Sequence, residues 1–478
     1  MFTDLSQTAS DPLLQAELEF LFERINYERT VSSNYPRHFK LETMRRLLER
    51  LGNPHQDYGI IHVAGTKGKG SVCKMIGGAL DAAGIKTGVY SSPHIESICE
   101  RISLSGQPIS EAALAAVLQT TRQAVQQLDA ESLLDGSRPS SFFEIITATG
   151  LLYFQQQGAE KVILEVGLGG RLDSTNICQP ELCVITNISL DHTKQLGTTV
   201  DKIAREKAGI IKPGIPVVSG VKDPLAAREI RECCCVCNSD LMELDEDFHY
   251  RIIGTESAGC DVHFDTWGML PERHSYRIDA VKLNAAGHHQ VANAAIAVAA
   301  INLLTDRFRV SSEAIRKGMA GFSMIGRGEI LSRDPWVVVD MAHNVASIDA
   351  LLAMLRRLHA DSGPAGRRRL IFASSQDKDL PGMMSRLLGY FDEVIFTKFV
   401  ENPRGTDPAE LLGIANLALA DQAQRPEILI EPHPLAAWQA TQTIMQAGDS
   451  LCVAGSAFLV AEMRPLLRAH FQGRPTTP

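Results

Sequence analysis

The stretch His62-Val63-Ala64-Gly65-Thr66-Lys67-Gly68-Lys69-Gly70-Ser71 follows a short apolar run, 58–63, and precedes the amphipathic stretch 72–83. These flanks predict a strand and a helix that are joined by a glycine-rich turn. Glycines let backbone N–H groups and the positive end of the following helix approach a phosphate closely. Lys69 would add a mobile positive charge. Gly70 separates Lys69 from Ser71, whereas the usual motif has the two side by side, but the strand–loop–helix context favours phosphate binding over a simple turn.

The rest of the chain alternates strand-like and helix-like stretches, which is typical of parallel α/β architecture. Strands are predicted at 88–91, 161–166 and 182–188, and a helix is predicted over Val200–Ala208. The segment 221–276 differs, because polar and apolar residues alternate there around several glycines. This pattern predicts a small antiparallel addition to the sheet.

After Gly326 the alternation of strands and helices restarts. Strands are predicted at 336–340, 370–373, 394–397, 428–430 and 450–453, with helices at 347–359, 380–390, 408–419 and 435–446. This pattern predicts a second, doubly wound domain. The stretch 321–327 is the predicted hinge, so we expect one domain over residues 1–325 and another over 326–478.

Composition narrows the class of protein. The 478 residues are 45% apolar and 22% charged, with a net charge of −9, as in an ordinary globular enzyme. An acidic chain lacks the basic surface of a nucleic-acid scaffold. The N-terminus shows no signal peptide pattern, and the longest apolar stretch, 291–304, is too short for a membrane span and predicts a buried helix. We therefore expect a cytoplasmic monomer with no nucleic-acid or membrane partner.

The ten cysteines are scattered apart from Cys233, Cys234, Cys235 and Cys237. Without secretory context they are expected to be reduced cytosolic thiols. The cluster has no second Cys or His pair at the spacing of a zinc site. We therefore favour a partly buried structural segment over a metal site.

Long motifs in a fixed order carry a resemblance to a known family. They are GTKGKGS (65–71), YSSPH (90–94), ERISLSG (100–106), SFFE (141–144), LEVGLGGRLDSTN (164–176), TNISLDHTKQLGTT (186–199), IAREKAGIIKPG (203–214), HHQVANAAIA (288–297) and VVDMAHN (338–344). Together they span nearly the whole chain and resemble the folylpolyglutamate synthase/dihydrofolate synthase family of the Mur ligase superfamily. The resemblance implies an α/β fold with a P-loop, Mur-ligase-like central domain, whose mostly parallel sheet has a small antiparallel addition, followed by a Rossmann-like C-terminal domain.

The resemblance also implies an activity. Members of the family add L-glutamate to a folate with ATP, through an acyl-phosphate intermediate. The sequence leaves open whether the acceptor is dihydropteroate, a tetrahydrofolate or both, and how many glutamates are added. The implied small molecules are ATP, L-glutamate, the folate and Mg²⁺, with two Mg²⁺ ions expected and K⁺ as a further candidate. The loop residues expected to bind ATP are Gly65, Thr66, Lys67, Gly68, Lys69, Gly70 and Ser71.

A metal site is expected at the carboxyl edge of the sheet, where ligands bind in open α/β folds. Mg²⁺ prefers oxygen ligands together with phosphate oxygens. The resemblance assigns metal binding to Ser92, Glu165 and His192. The alternatives are a salt bridge from Glu165 to Arg171 and a plain hydrogen-bonding role for His192.

Lys207 lies in the last turn of the helix predicted over Val200–Ala208. By itself it would be interpreted as a solvated lysine. The resemblance implies instead that Lys207 is carbamylated, which would turn a cation into an anion able to hold a second Mg²⁺. The amine must lose its proton before CO₂ can add, so burial or nearby cations should lower its pKa.

Four residues are expected to complete the nucleotide site. Gln290 and Asn293 stand three apart at the start of the apolar helix and could hydrogen-bond adenine or ribose, with ordinary helix capping as the alternative. The resemblance assigns Arg327 to the nucleotide and Asp340 to the ribose. The proline that precedes the hinge glycine in relatives is Ile325 here.

The remaining site residues are assigned by resemblance to the two other substrates. His343 would face phosphate or the incoming amino acid and assist its deprotonation, and Arg404 would bind the glutamate carboxylate. The motif around His343 reads DMAHNV, where relatives have DGAHNP. Phe143, Glu144 and Asp173 are expected to line the folate site, since a carboxylate suits the N–H donors of a pterin.

Two other functions stay open on sequence alone. The first is a Mur-type ligase that acts on another carboxylate substrate, because it would share the phosphate loop and the metal site. The second is a nucleotide-binding paralogue without ligase activity, which the altered DMAHNV and ASSQDKD motifs keep possible.

Overall fold

The structure is a computed structural model. It describes residues 11–26, 41–135, 137–255, 261–271, 274–284, 288–304, 310–362, 366–400, 402–420 and 425–472. Within these ranges the chain forms three sheets, of which two are large and mostly parallel and one is small and antiparallel.

The first large sheet contains eight of the described strands. In chain order they are β1 (Gly59–Ala64), β2 (Thr87–Tyr90), β3 (Ile102–Leu104), β4 (Gln107–Pro108), β5 (Lys161–Glu165), β6 (Leu182–Ile185), β7 (Val217–Ser219) and β8 (Leu241–Glu243). Their spatial order is β4-β3-β2-β5-β1-β6-β7-β8. Only β3 and β4 pair antiparallel to their neighbours.

Strand β1 lies in the interior of this sheet, between β5 and β6, and is therefore buried on both faces. Its residues Ile60, Ile61 and Val63 are almost fully buried, which is typical of a central strand in a parallel sheet. Val63 is in register with Glu165 at the end of β5. The loops that follow β1, β5 and β6 therefore leave the sheet at one common edge.

Helices cover both faces of the first sheet. They are α1 (Pro12–Phe22), α2 (Glu42–Arg50), α3 (Lys69–Ala82), α4 (Glu111–Asp135), α5 (Phe142–Gln156), α6 (Thr193–Leu196), α7 (Val200–Ala208) and α8 (Pro224–Cys237). The prediction for α7 is confirmed residue for residue. Helix α3 starts at Lys69 rather than at 72, because Gly68 adopts a left-handed conformation and ends the preceding turn, so Lys69, Gly70 and Ser71 form its first turn.

The antiparallel addition exists but begins later than predicted. Its strands are β9 (Phe248–Thr255), β10 (Asp261–Met269) and β11 (Ser275–Asn284). The prediction of antiparallel structure from residue 221 is wrong, because α8 occupies most of the first part and β8 pairs in parallel with β7. Helix α8 is capped by Asp223 with Pro224 in its first turn, a start signal that outweighs local alternation. Residues 256–260 and 272–273 of the predicted segment lie outside the described ranges.

Two further helices, α9 (His288–Leu304) and α10 (Ser312–Ala320), complete this part of the chain. Helix α9 is apolar on all sides and packs within a core formed with α3 and the antiparallel sheet. The prediction of a buried helix over 291–304 is confirmed. Among the described residues, no helix is long and apolar enough to cross a membrane.

The second large sheet begins after the predicted hinge. Its strands are β12 (Glu329–Arg333), β13 (Trp336–Asp340), β14 (Arg368–Phe372), β15 (Glu393–Phe396), β16 (Glu427–Ile430) and β17 (Ser450–Ala454). Its helices are α11 (Val345–Ser362), α12 (Leu380–Leu387), α13 (Pro408–Ala418), α14 (Pro434–Ile444) and α15 (Ala457–Gln472). The strand order is β12-β13-β17-β14-β15-β16, and only the β12–β13 pair is antiparallel.

Separate apolar clusters lie on the two faces of this second sheet. One packs under α11, α12 and α13, and the other under α14 and α15. Helices on both faces of a mostly parallel sheet define a doubly wound domain. Each predicted strand and helix after Gly326 has a counterpart in the structure, whereas β12 and α15 had no counterpart in the sequence prediction. The proposed boundary between residues 325 and 326 stays a prediction.

Candidate active site

The phosphate loop depends on two glycines in conformations that other residues rarely adopt. Gly65 has a φ of +152° and Gly68 a φ of +84°. A Cβ atom on Gly68 would lie only 2.5 Å from Oδ1 of Asn293. The loop therefore needs glycine at both positions, for its backbone shape and for the close approach of α9.

The segment after β6 holds the loop in place. The backbone N–H of Thr66 donates to the carbonyl of Asn187 at 2.8 Å. The backbone N–H of Lys67 donates to Oδ1 of Asn187 at 2.9 Å, and the hydroxyl of Thr186 donates to the carbonyl of Lys67 at 2.7 Å. Sequence reasoning assigned no role to Thr186 or Asn187. Contacts within the chain itself therefore hold the shape of the loop.

Two lysines converge on one carbonyl of this loop. The Nζ atom of Lys69 donates to the carbonyl of Gly65 at 3.1 Å, and Nζ of Lys207 donates to the same carbonyl at 2.8 Å. Lys207 is only 4% exposed, so its interpretation as a solvated lysine is wrong. Burial, with Lys69 as the next cause, lowers the pKa of Lys207 from 10.5 to about 7. A neutral amine is therefore available near neutral pH, as carbamylation requires.

Glu165 ends β5 beside the same loop. Burial raises the pKa of its carboxyl group, and Lys69 is the main opposing influence. Its Oε2 accepts the backbone N–H of Ser92 at 3.3 Å. A Cβ atom on Gly70 would lie 3.3 Å from that oxygen. The alternative of a salt bridge to Arg171 is wrong, because Arg171 pairs with Glu206.

His192 approaches the site from the loop after β6. It has a left-handed backbone conformation with a φ of 47°. Partial burial lowers the pKa of its imidazole, Asp191 opposes this effect, and Lys69 and Lys207 add to the lowering. A neutral imidazole with a free electron pair is the form that binds metal ions.

The donors at this edge suit a hard divalent cation with an incomplete protein shell. Glu165 offers carboxylate oxygens, Ser92 a hydroxyl and His192 a neutral imidazole. Within the described part of the chain, no group of three His, Cys, Asp or Glu side chains could hold a metal ion by itself. Mg²⁺ bound here would complete its shell with phosphate oxygens and water, as it does in nucleotide sites.

The predicted adenine ligands lie together at the start of α9. Nδ2 of Asn293 donates to Oε1 of Gln290 at 3.0 Å, and both side chains are buried. Asn293 also contacts the phosphate loop at Gly68. The pair therefore lies directly against the loop, in a position where nucleoside polar atoms could replace their mutual hydrogen bond.

The hinge residues are organised by Asp340 at the end of β13. Its carboxylate accepts the backbone N–H groups of Gly328 and Ala342, each at 2.7 Å. Burial raises the pKa of Asp340 to about 6. Arg327 is exposed next to this turn, and its charge reaches both Asp340 and Glu165. Asp340 thus holds the hinge, whether or not it also contacts ribose.

The predicted amino-acid ligands lie on loops of the second domain. Nδ1 of His343 lies 2.8 Å from the carbonyl of Met341, and the side chain is accessible. Partial burial lowers the pKa of His343, the hydrogen bond with the Met341 carbonyl opposes this effect, and Lys378, Arg327 and Lys67 add to the lowering.

Arg404 lies at the carboxyl edge of the second sheet. Its Nη2 is 3.8 Å from Oδ1 of Asp377, and its Nε is buried without a hydrogen-bond partner among the described residues. Its carbonyl accepts the backbone N–H of Gln376 at 3.1 Å. A guanidinium can donate to a carboxylate at two points.

Two of the three predicted folate ligands already have internal partners. The Glu144 carboxylate forms a capping box with Ser141 at the start of α5 and an ion pair with Arg138. Oδ1 of Asp173 accepts the hydroxyl and the backbone N–H of Thr175, and Oδ2 accepts the backbone N–H of Leu168 at 2.9 Å. These bonds assign both carboxylates to loop organisation. A folate contact by either stays a prediction, and the S-x-x-E spacing of 141–144 was a signal for the capping role.

Phe143 packs differently, because its ring faces the loop after β5. A Cβ atom on Gly167 would lie 2.6 Å from the ring, so the glycine makes room for it. The ring also lies edge-on to Tyr90, with 6.2 Å between centroids. The structure therefore places Phe143 beside the site edge of the sheet.

The cysteine cluster lies on α8, where Sγ of Cys233 donates to the carbonyl of Ala208 at 3.5 Å. Cys234 is buried, Cys233 and Cys237 are partly buried, and Cys235 is exposed. The interpretation as a partly buried structural segment is confirmed.

Comparison with known proteins agrees with this architecture. The family model for the Mur ligase middle domain matches residues 63–301, and that for the Mur ligase glutamate ligase domain matches residues 326–457. The folylpolyglutamate synthase of Lacticaseibacillus casei is 35% identical over 394 residues, which cover 80% of this chain and 88% of the relative. The dihydrofolate synthase/folylpolyglutamate synthase of Escherichia coli is 32% identical over 91% of this chain and 92% of its own.

The chain belongs to the folylpolyglutamate synthase/dihydrofolate synthase family.

Solved structures of family members share the fold. Folylpolyglutamate synthase from Thermotoga maritima matches with a TM-score of 0.80 and 28% identity, covering 96% of this chain and 97% of the other. The Escherichia coli enzyme in complex with DHPP and ADP matches with a TM-score of 0.78 and 28% identity, covering 96% and 99%. The family and the fold class predicted from the sequence are confirmed.

Proposed function

We propose that this chain is an ATP-dependent ligase that adds L-glutamate to a folate through an acyl-phosphate. The observation that carries the proposal is the convergence of Lys69 and Lys207 on the Gly65 carbonyl, with Glu165 beside them. This arrangement places the cation Lys69 beside a buried carboxylate and beside Lys207, whose carbamylation would add a second anionic group at the edge of the sheet. It suits the transfer of a phosphoryl group, where positioning and charge stabilisation supply most of the catalysis.

The nucleotide side follows from the loop geometry. The backbone N–H groups at the start of α3 and the ammonium of Lys69 would hold the outer phosphates. Lys69 donates to the carbonyls of Gly65 and Thr66, and a phosphate, as a stronger acceptor, can replace them. Gln290 and Asn293 would bind the nucleoside, and Arg327 would reach it from the hinge.

Ser92, Glu165, His192 and carbamylated Lys207 would hold the Mg²⁺ ions. When bound, the metal neutralises charge on the transferring phosphoryl group. K⁺ stays a further candidate. Ser92 and Glu165 are joined by a hydrogen bond, and both belong to loops at the edge that carries Lys69.

An acyl-phosphate is lost to hydrolysis unless water is excluded. Closure of the second domain over the first would protect it. The two domains already contact each other, since Nη1 of Arg464 donates to Oε1 of Glu96 at 2.6 Å. His343, held with a lowered pKa, can accept a proton from the attacking glutamate amine. Arg404 would hold a carboxylate of the glutamate.

The folate class of acceptor is supported by the family. The Escherichia coli relative was solved with DHPP and ADP, and the relatives are named as folylpolyglutamate or dihydrofolate synthases. The alternative of a Mur-type ligase on another carboxylate is therefore not favoured. Phe143 lies at the edge where the pterin would bind.

The test is product formation by the purified full chain. ATP, Mg²⁺ and L-glutamate are supplied with dihydropteroate, tetrahydrofolate or a cell-wall nucleotide precursor, and products are identified by mass spectrometry. Gain of a glutamyl residue by a pterin substrate supports the proposal, and the acceptor that reacts distinguishes first addition from chain extension. Tight ATP binding without turnover on any pterin would contradict it and favour a nucleotide-binding paralogue.

A further inference from the structure

The loop that follows β2 is held by both domains. It contains Ser92, a proposed metal ligand, and three residues later Ile95, which packs against the apolar cluster under α15 in the second domain. Ile95 also lies near the hinge, since its Cδ1 is 3.6 Å from where a Cβ atom on Gly326 would be. This loop of the first domain is therefore partly built into the second.

Arg464, on α15, binds the next residue of that loop. Its Nη1 donates to Oε1 of Glu96 at 2.6 Å. Its Nε and Nη2 donate to the two carboxylate oxygens of Glu329, each at 2.7 Å. Glu329 in turn accepts the backbone N–H of Gly326 at 2.8 Å. Arg464 is 5% exposed, so one buried guanidinium joins the loop, the hinge and α15.

Hydrogen bonds hold this loop firmly, so a displacement at Glu96 can be passed on to Ser92. The carboxylate of Glu100 accepts the backbone N–H groups of Ile95, Glu96 and Ser97, at 2.9, 2.8 and 2.9 Å. Its other end is tied to the metal site, where the N–H of Ser92 donates to Glu165. A shift of Glu96 must therefore be passed along a short, bonded segment to Ser92.

We propose that Arg464 is a positioning residue that sets the place of Ser92 through Glu96, and so couples the seating of the second domain to the metal site. The inference rests on the proposed function in one respect, namely the assignment of Ser92 as a Mg²⁺ ligand. A buried bidentate pair with a further charged partner fixes geometry more strongly than an exposed ion pair does. Correct placement of the second domain against the first would thus put Ser92 in position to bind Mg²⁺.

The chain offers a matched control in the same domain. Arg369 is also a buried arginine between two carboxylates, Glu393 and Asp449. All three groups lie within the second sheet and its loops, so loss of Arg369 removes a buried charge network without touching the first domain. A purely structural effect should appear equally in both arginine variants.

The experiment measures how Mg²⁺ supports binding of the non-hydrolysable nucleotide AMPPCP to the full chain. Arg464→Met should raise the Mg²⁺ concentration for half-maximal binding about tenfold, as loss of a supporting partner does at metal sites. Glu96→Gln should act in the same direction, and Arg464→Lys should recover part of the loss. The double variant Glu96→Gln/Arg464→Met should be no worse than Arg464→Met alone, because both changes break one connection.

Arg369→Met should lower the melting temperature but leave the Mg²⁺ dependence within about twofold of the unmodified chain, because its network does not reach Ser92. The inference is overturned if Arg464→Met and Glu96→Gln leave the Mg²⁺ dependence unchanged, or if Arg369→Met shifts it equally. Because nucleotide binding needs no turnover, a chain that shows these shifts but adds no glutamate to any pterin would overturn the proposed function and leave this inference standing.

Discussion

The nucleotide side and the amino-acid side of the site differ in how fully their side chains are buried and hydrogen-bonded within the chain. On the nucleotide side, Glu165, Lys207, Gln290 and Asn293 are all buried and all have hydrogen-bond partners. On the amino-acid side, His343 is accessible and Arg404 retains a donor without a partner among the described residues. The difference teaches that contacts within the chain fix these nucleotide-side groups, whereas the glutamate side presents groups that a ligand and domain closure can engage.

The largest effect should come from the loop lysine. Lys69→Ala removes the charge aimed at the outer phosphates, so we expect kcat to fall about 10³-fold, the range seen when a group that stabilises transition-state charge is lost. Steady-state phosphate release in the presence of folate and glutamate measures it. Lys86→Ala, at an exposed lysine just before β2, is the control and should change kcat far less. Comparable rates for Lys69→Ala and the unmodified chain would contradict the assignment of Lys69 to the outer phosphates.

Lys207 should give the next largest effect. Lys207→Met should lower kcat about 100-fold, as expected for a lost metal-site group, whereas Lys202→Met, exposed on the same helix, should not. With its pKa lowered to about 7, the amine is protonated below that pH and mostly neutral above it. Activity should therefore rise as pH increases through 7, and bicarbonate should help most near that pH. Native mass spectrometry should detect one added CO₂ that Lys207→Met lacks.

A smaller effect is expected at Asn293. Asn293→Ala should raise the KM for ATP about tenfold through loss of a buried hydrogen bond, with kcat little changed because the contact is the same in ground and transition states. Asn302→Ala, farther along α9, is the control. A fall in kcat at constant KM would show that Asn293 acts on the chemistry instead.

The smallest effect is expected on the open side. Arg404→Lys keeps the charge but loses the fork that can bind a carboxylate at two points. We expect the KM for glutamate to rise about fivefold while ATP binding is unchanged, a modest penalty typical of a partly exposed ion pair. Arg386→Lys, an exposed residue of the same domain, is the control. An increase in the KM for ATP, with the KM for glutamate unchanged, would show that Arg404 acts on the nucleotide side and would contradict the contrast between the two sides.

Much of the fold could be predicted because its signals are local. Buried β-branched runs, glycine turns and the alternation after Gly326 led to the two large sheets and to α7 with its bounds. The error over 221–276 arose where the alternation of residue types was weighed above the Asp223–Pro224 helix start. Local pattern and capping disagreed there, and the capping signal was the correct one.

The site was predicted less completely, because burial and long-range pairing are not visible in one sequence. Lys207 has the sequence context of a surface lysine, and only the fold places it at the Gly65 carbonyl. Glu144 and Asp173 were expected to bind folate, yet their carboxylates have partners within their own loops. Arg464 and Glu96 are 368 residues apart in sequence, so no local sequence pattern predicts their contact.

The most direct test of the ligase account follows the oxygen atoms of the folate carboxylate. The acceptor is prepared with ¹⁸O in the reacting carboxyl group and incubated with ATP, Mg²⁺ and L-glutamate, and the released inorganic phosphate is analysed by mass spectrometry. An acyl-phosphate intermediate transfers one labelled oxygen to each phosphate that leaves. The account predicts this transfer, and glutamyl product formed with unlabelled phosphate would contradict it.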